Sequence, residues 1–176
     1  LRTSVILLSA VLILGALSAI VFRSSLQAAW YANSGALNMA RVELNSSWPT
    51  NRWQGDSKVQ QLQDAESRFH QALEQNSSNV TALYRMGLIA LARQEFDTAV
   101  GYLAAAQLIN PGHRGVRKAL GYSALWNGDN VTATAMLRTL PEAQYELGNY
   151  AGWWPQQGHP DLGARALELL ELLQDS

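Results

Sequence analysis

A spacing of 34 residues recurs along this chain of 176 residues. Small or large apolar residues return at that spacing in four sets: Ala65, Ala99 and Ala133; Phe69, Leu103 and Leu137; Ala72, Ala106 and Leu140; Gly87 and Gly121. Small residues allow two antiparallel helices to approach closely, and large ones fill the space between neighbouring helices. The spacing therefore predicts a series of similar helical hairpins that bury their apolar faces against one another.

The clearest repeat covers residues 80–113, and a second follows at 114–147. The first contains Leu83, Met86, Gly87, Ala90, Ala99, Leu103, Ala106 and Pro111. This order resembles the tetratricopeptide repeat family, which has a Leu-Gly pair on the first helix, an Ala and a large apolar residue on the second, and a closing Pro. The resemblance implies an all-α fold: a right-handed α-solenoid of three to four helical hairpins.

The flanking repeats depart from this spacing. Gly35 precedes Gly87 by 52 residues, which is 18 more than the repeat length, and the stretch "NSSWPTNRWQGD" (45–56) has the composition of a long inserted loop. A helix is expected over residues 61–76. At the other end Leu147 and Gly148 repeat the Leu-Gly pair. We expect the helix to break at Pro155 and Pro160, and a last helix to start with Asp161 as its cap.

An uncharged apolar segment occupies residues 4–22. Its 19 residues would span roughly 28 Å as a helix, enough for the hydrocarbon core of a bilayer. We therefore predict a single-pass transmembrane anchor rather than a cleaved signal peptide, represented by Val5, Leu8, Leu12, Gly15, Ile20 and Phe22. After Arg23 the chain carries 11 basic and 14 acidic residues, which favours the non-cytoplasmic side of the membrane for the rest of the protein.

This segment sets the expected domain organisation. We expect an anchor over 1–25, a juxtamembrane helix and insertion loop over 26–60, and the repeat domain over 61–176, the whole array covering 28–176. The juxtamembrane helix would carry Leu26, Trp30, Leu37 and Leu44 on one face. Trp30 and the adjacent Tyr31 suit either the lipid headgroup region or core packing.

The composition argues against several classes of function. The formal net charge of −1 gives no reason to expect a nucleic-acid partner. Cysteine is absent, and His70, His113 and His159 lack metal-ligand spacing. The sequence "NGDN" (127–130) is better explained as a turn than as a calcium loop. We expect no enzyme activity, no cofactor, no metal and no small-molecule substrate.

A binding groove is implied by the family resemblance. In that family the first helices of successive hairpins line a concave surface that receives a peptide or a partner helix. The corresponding residues here are Thr81, Tyr84, Leu88, Leu91, Lys118, Tyr122, Leu125 and Trp126. They are mostly apolar or aromatic, which favours an apolar peptide or helix as the ligand. The alternative is that the groove is narrow and these side chains pack on one another or on the juxtamembrane helix of the same chain.

Two pairs of tryptophans interrupt the repeat pattern: Trp48 and Trp53, and Trp153 and Trp154. They suit an interface with protein, lipid or glycan, or they anchor irregular segments to the array. The basic residues Arg114, Arg117 and Lys118 at a helix start would favour an anionic partner.

We therefore predict a membrane-anchored scaffold that binds another protein, as an accessory subunit or assembly factor of a membrane or envelope complex. The alternatives are an auxiliary subunit of a membrane enzyme and a glycan-binding module that uses the loop tryptophans.

Overall fold

The computed structural model describes residues 2–45 and 62–174, with side chains described at Gly15 and over residues 22–42 and 62–174. Within these residues the chain is all-α and contains no strand, as predicted. The helices are α1 (Arg2–Asn45), α2 (Gln63–Gln75), α3 (Val80–Ala92), α4 (Phe96–Ile109), α5 (Arg114–Asn127), α6 (Asn130–Leu137), α7 (Ala143–Gln156) and α8 (Pro160–Gln174).

Helices that are close in sequence are also neighbours in space. The pairs α1 with α2, α3 with α4, α5 with α6, and α7 with α8 are in extensive contact. Neighbouring pairs are joined by contacts of α2 with α3 and α4 with α5, while α8 touches both α5 and α6. The fold is therefore repeat-like, with each hairpin packed against the next.

The glycines of the first helices explain the 34-residue spacing. A Cβ added to Gly87 would lie 2.5 Å from Cγ of Leu103, and a Cβ added to Gly121 would lie 2.5 Å from Cγ of Leu137. Non-bonded carbon atoms in proteins do not approach each other this closely. Only glycine therefore lets the two helices of each hairpin pack at this distance. The same contact recurs at both repeats, which confirms that they are structurally equivalent.

The first hairpin makes the same contact despite its longer spacing. A Cβ added to Gly35 in α1 would lie 2.7 Å from Cε1 of Phe69 in α2. Gly35 is therefore the counterpart of Gly87, and the 18 additional residues lie between Gly35 and Phe69 in the chain. The predicted insertion loop, with Trp48 and Trp53, lies mostly outside the described residues.

The other two sets of repeating residues lie in the core. The members of both are buried: Ala65, Ala99 and Ala133, and Ala72, Ala106 and Leu140. The large residues Phe69, Leu103 and Leu137 are fully buried beside them. The alternation of small and large side chains thus fills the space between consecutive helices, as the spacing predicted.

Short polar residues begin three of the helices. The side chain of Asn79 accepts a hydrogen bond from the backbone N–H of Ala82 at 3.0 Å, and that of Asp129 accepts one from Thr132 at 3.0 Å. His113 caps α5 through Nδ1, which accepts from the N–H of Val116. Each cap pairs one of the backbone donors that a helix start leaves unpaired. The "NGDN" stretch is therefore a turn between α5 and α6.

The end of the chain differs from the prediction. Helix α7 does not break at Pro155 but ends one residue after it, at Gln156. A Cβ added to Gly148 would meet no atom within 4 Å, whereas one added to Gly163 in α8 would lie 2.8 Å from Pro155. The glycine that allows close packing of this last pair is therefore Gly163. Helix α8 begins at Pro160, one residue before the predicted cap.

One face of α1 is buried and consists of small residues and one methionine. Ala28, Ala32, Gly35 and Met39 recur every three or four residues, and all are buried. The opposite face carries Leu26, Trp30 and Leu37, each more than half exposed. The large residues that we expected on one face do share a face, but it points away from α2. The side chain of Leu44 lies outside the described residues.

The predicted membrane localisation is contradicted. Within the part of the chain that the structure describes, no helix is both long enough and apolar enough to cross a bilayer. The expectation of a single-pass anchor with the repeat domain on the non-cytoplasmic side is therefore wrong. Where α1 is described with its side chains, Phe22 is exposed, whereas Ala32 and Met39 lie in a core cluster with residues of α2 and α3. The side chains of Val5, Leu8, Leu12 and Ile20 lie outside the described residues.

Candidate functional site

Helices α5 and α7 face each other with matching rows of side chains. Residues four apart lie on the same side of a helix, so every fourth residue forms a row along it. The row on α5 consists of Arg114, Lys118, Tyr122 and Trp126, and the row on α7 consists of Glu142 at its N-terminal cap position, Glu146, Tyr150 and Trp154. Each row runs from charged to aromatic residues. The two rows therefore meet with opposite charges at one end and with aromatic rings at the other.

The charged end is a network of ion pairs. Arg114 Nη2 lies 2.5 Å from Glu142 Oε2, and Lys118 Nζ lies 2.5 Å from Glu146 Oε1 and 3.7 Å from Glu142 Oε1. The hydrogen bond from Arg114, supported by a backbone hydrogen bond, lowers the pKa of Glu142 to about 2. The same contact raises the pKa of Arg114. Arg114 and Lys118, two of the three basic residues at the start of α5, are thus paired within the chain.

A tyrosine connects the charged end to the aromatic end. The Tyr122 hydroxyl donates a hydrogen bond to Oε2 of Glu146 at 2.7 Å. Burial, together with this carboxylate, raises the pKa of Tyr122 well above its ordinary value, and burial also raises the pKa of Tyr150. The Tyr122 phenol therefore stays protonated, and Glu146 is held by both a cation and a hydroxyl.

The aromatic end is a packed cluster of rings. The Trp126 ring lies 5.4 Å from those of Tyr150 and Trp154, with near-perpendicular geometry in both pairs. Tyr122 stacks on Trp126 at 6.1 Å, and Trp153 contacts Trp154 at 4.6 Å. Edge-to-face contacts of this kind add stability beyond the area that the rings bury. The cluster therefore holds the aromatic side chains in fixed positions.

Helix α3 extends this surface toward the N-terminal hairpins. Tyr84, Leu88 and Leu91 are half-buried, and Thr81 is exposed. The Tyr84 ring lies 5.1 Å from the His113 ring, which connects α3 to the start of α5. We call the surface formed by these residues of α3 and by the facing rows of α5 and α7 the α3–α5–α7 face.

The predicted groove residues divide into two groups on this face. Tyr122, Leu125 and Trp126 are buried in the core cluster with α7 and α8, so they form a floor beneath the surface. The remaining five, Thr81, Tyr84, Leu88, Leu91 and Lys118, are exposed or half-buried. Packing of the groove residues on one another, the alternative considered from the sequence, thus holds for the first group. That the second group binds a partner stays a prediction.

Of the two predicted tryptophan pairs, only the second lies within the described residues. Trp154 is buried and Trp153 is half-buried, both in the cluster with Trp126. The sequence reasoning missed the acidic residues Glu142 and Glu146. Their spacing of four residues after Pro141 was a usable signal, because it matches the spacing of Arg114 and Lys118 on the facing helix.

A small cavity lies elsewhere, between α2, α3 and α4. Its volume is about 70 Å³, and its lining includes the ion pair of Arg93 with Glu66, whose two hydrogen bonds measure 2.8 and 2.6 Å. These contacts raise the pKa of Arg93. Sites for small organic ligands usually measure about 300–1,000 Å³, so this cavity is too small for such a ligand. Among the described residues, no group of three or more His, Asp or Glu side chains could hold a metal ion.

No protein-family model matches the sequence, and no curated protein matches it significantly. The functional interpretation therefore depends on the contacts within this chain.

Proposed function

We propose that this protein is a non-catalytic interaction module, whose α3–α5–α7 face binds a helix or an apolar peptide of a partner protein. The proposal is supported mainly by one observation: partly exposed apolar residues and a fixed aromatic floor lie on the same surface. Tyr84, Leu88 and Leu91 provide the first, and Tyr122 and Trp126 provide the second.

In this proposal the hairpins form a right-handed α-solenoid of the tetratricopeptide repeat type. Three hairpins share the same contact between a glycine and a large residue, formed by Gly35, Gly87 and Gly121. Helices that are adjacent in the chain are in contact from α1 to α6, and α8 joins the last hairpin to α5 and α6. Both features support the solenoid, because repeat proteins pack each unit mainly against its neighbours.

The rigidity of the face favours binding. The aromatic rings of the floor are held by one another and by the Tyr122 hydrogen bond, so a ligand would not have to order them. A helical ligand would place its apolar residues over Leu88 and Leu91. At the charged end the Arg114 side chain is 61% exposed, and it is available to a carboxylate of the ligand.

The polar groups of the face support a role without catalysis. Glu142 and Glu146 are held by Arg114 and Lys118, and the Tyr122 phenol is both paired and protonated. A general base needs a free acceptor with a pKa near the working pH. The groups here are engaged with each other instead. Within a larger complex, such a face would recruit or hold another subunit as an accessory or assembly component.

Selection of peptides from a random library on the purified protein tests this function. We expect enrichment of peptides with apolar residues at helical spacing. Their binding should be lost in Thr81→Arg, which places a long side chain on the face at an exposed position. Val131→Arg is the matched control, since Val131 is largely exposed on α6 and away from the face. No enrichment, or equal binding by both variants, would contradict the proposal.

A further inference from the structure

An exposed and largely apolar stripe runs along α1. Leu26, Trp30 and Leu37 are 66%, 60% and 55% exposed, and the exposed Asn33 lies between Trp30 and Leu37. The spacings of four, three and four residues are those of a seam that packs against another helix, and one Asn within such a seam fixes its register. The opposite side of α1 is buried on α2, so a partner for the stripe has to come from outside the described part of the hairpin. We call these four residues the α1 stripe.

One edge of the α1 stripe is basic. Arg23 and Arg41 lie at helical positions along this edge, and both are exposed. Between them the guanidinium carbon of Arg68 from α2 lies 5.6 Å from the centre of the Trp30 ring. Among the described residues none of these three arginines is in an ion pair. A ligand for this surface should therefore combine apolar side chains with a row of carboxylates.

Helix α8, at the other end of the helix series, has those properties. Asp161, Glu168 and Glu171 are exposed at positions that lie on one face of the helix. Leu167 and Leu172 are 50% and 47% exposed on the two sides of this acidic row. Glu168 accepts a hydrogen bond from Asn130, while Asp161 and Glu171 have no ion pair among the described residues.

We propose that α8 of one copy of this chain packs on the α1 stripe of a second copy. On α1, Arg23 and Trp30 are seven positions apart, and Arg68 lies over the Trp30 ring. On α8, Asp161 and Glu168 are also seven positions apart. Both intervals equal about 10.5 Å along a helix. With the helices parallel, two carboxylates therefore meet two guanidinium groups while the leucines of α8 cover the stripe.

Charge favours this occupant over a second α1. Two α1 stripes packed together would bring basic edges toward each other without a described carboxylate between them, whereas α8 supplies opposite charges. The contact joins different surfaces of the two copies, so each copy keeps one free end. Association of this kind continues into chains or closes into rings. One helix pair is at the small end of protein interfaces, so association is weak and depends on concentration.

Sedimentation velocity over a range of protein concentrations tests this association. For the unmodified chain we expect the average mass to rise with concentration and to fall again in about 1 M salt, which screens the charges. A stripe variant, Leu26→Asp with Leu37→Asp, and an α8 variant, Glu168→Lys with Leu172→Lys, should each remain monomeric. All four positions are exposed, and circular dichroism will show whether the helices are retained.

The mixture of the two variants is the decisive sample. Each variant keeps one working surface, so the mixture should form a 1:1 dimer and nothing larger. Leu108→Asp is the control, because Leu108 is largely exposed on α4 and lies outside both surfaces. It should associate as the unmodified chain does. An unmodified chain that stays monomeric, or an α8 variant that still associates through α1 alone, would overturn the proposal.

Discussion

Replacing Gly121 by Ala tests the packing principle of the repeats. The added Cβ would lie 2.5 Å from Cγ of Leu137, 2.7 Å from its Cδ2 and 3.1 Å from Cβ of Met136. Because Leu137 is fully buried, it cannot move away into solvent. Overpacking of this kind costs about 1–3 kcal/mol, and the better helix propensity of Ala returns about 0.5–1 kcal/mol. We therefore expect a net loss of roughly 0–2.5 kcal/mol.

Thermal and urea unfolding measure this loss, with Gly148→Ala as the matched control. Gly148 lies in α7 with no atom within 4 Å of an added Cβ, so its replacement should stabilise the protein by about 0.5–1 kcal/mol. For a chain of this size each kcal/mol shifts Tm by about 2–4 °C. In a Leu137→Ala background the cost of Gly121→Ala should disappear. If Gly121→Ala stabilised the protein as much as Gly148→Ala does, the close-packing explanation of the 34-residue spacing would be refuted.

Two further predictions concern the charged end of the face and a helix cap. Glu142→Gln should lower stability at neutral pH, and the difference from the unmodified protein should vanish as the pH falls from about 5 to about 2. The reason is that the stabilising effect of the lowered Glu142 pKa is lost through that range. Unfolding curves measured across pH check this prediction, and a stability difference that stays constant with pH would contradict it. Asn79→Ala should cost about 1 kcal/mol in denaturant unfolding by removing the cap of α3, whereas Ser77→Ala, exposed in the preceding turn, should be nearly neutral.

Much of the helical array could be predicted from local pattern. The 34-residue spacing identified the glycine and leucine that meet in two hairpins, and it also identified Gly35 across a longer interval. Such predictions succeed because the close approach of two helices requires both a glycine on one helix and the large residue that faces it on the other. The end of α7 at Gln156 rather than before Pro155 was missed, since a helix can include one proline at the loss of a single backbone hydrogen bond when its other face is packed.

The candidate face was less predictable. Lys118, Tyr122 and Trp126 were identified on α5, but not their contacts with Glu146 and Tyr150 on α7. A row of side chains on one helix does not reveal which helix faces it. For the same reason, the sequence placed the large residues of α1 on one face but did not show that this face is exposed.

The sequence by itself determined the helical class, the spacing of the hairpins and the residues that fill their core, because these depend on periodicity and side-chain size. Only the tertiary structure decided which helix faces are buried. Ala28 and Ala32 of α1 lie on the buried face while Leu26 and Trp30 are exposed, since small residues permit the closer approach of two helices. It also decided that the cations of α5 meet the carboxylates of α7, because that pairing depends on how two hairpins are placed against each other.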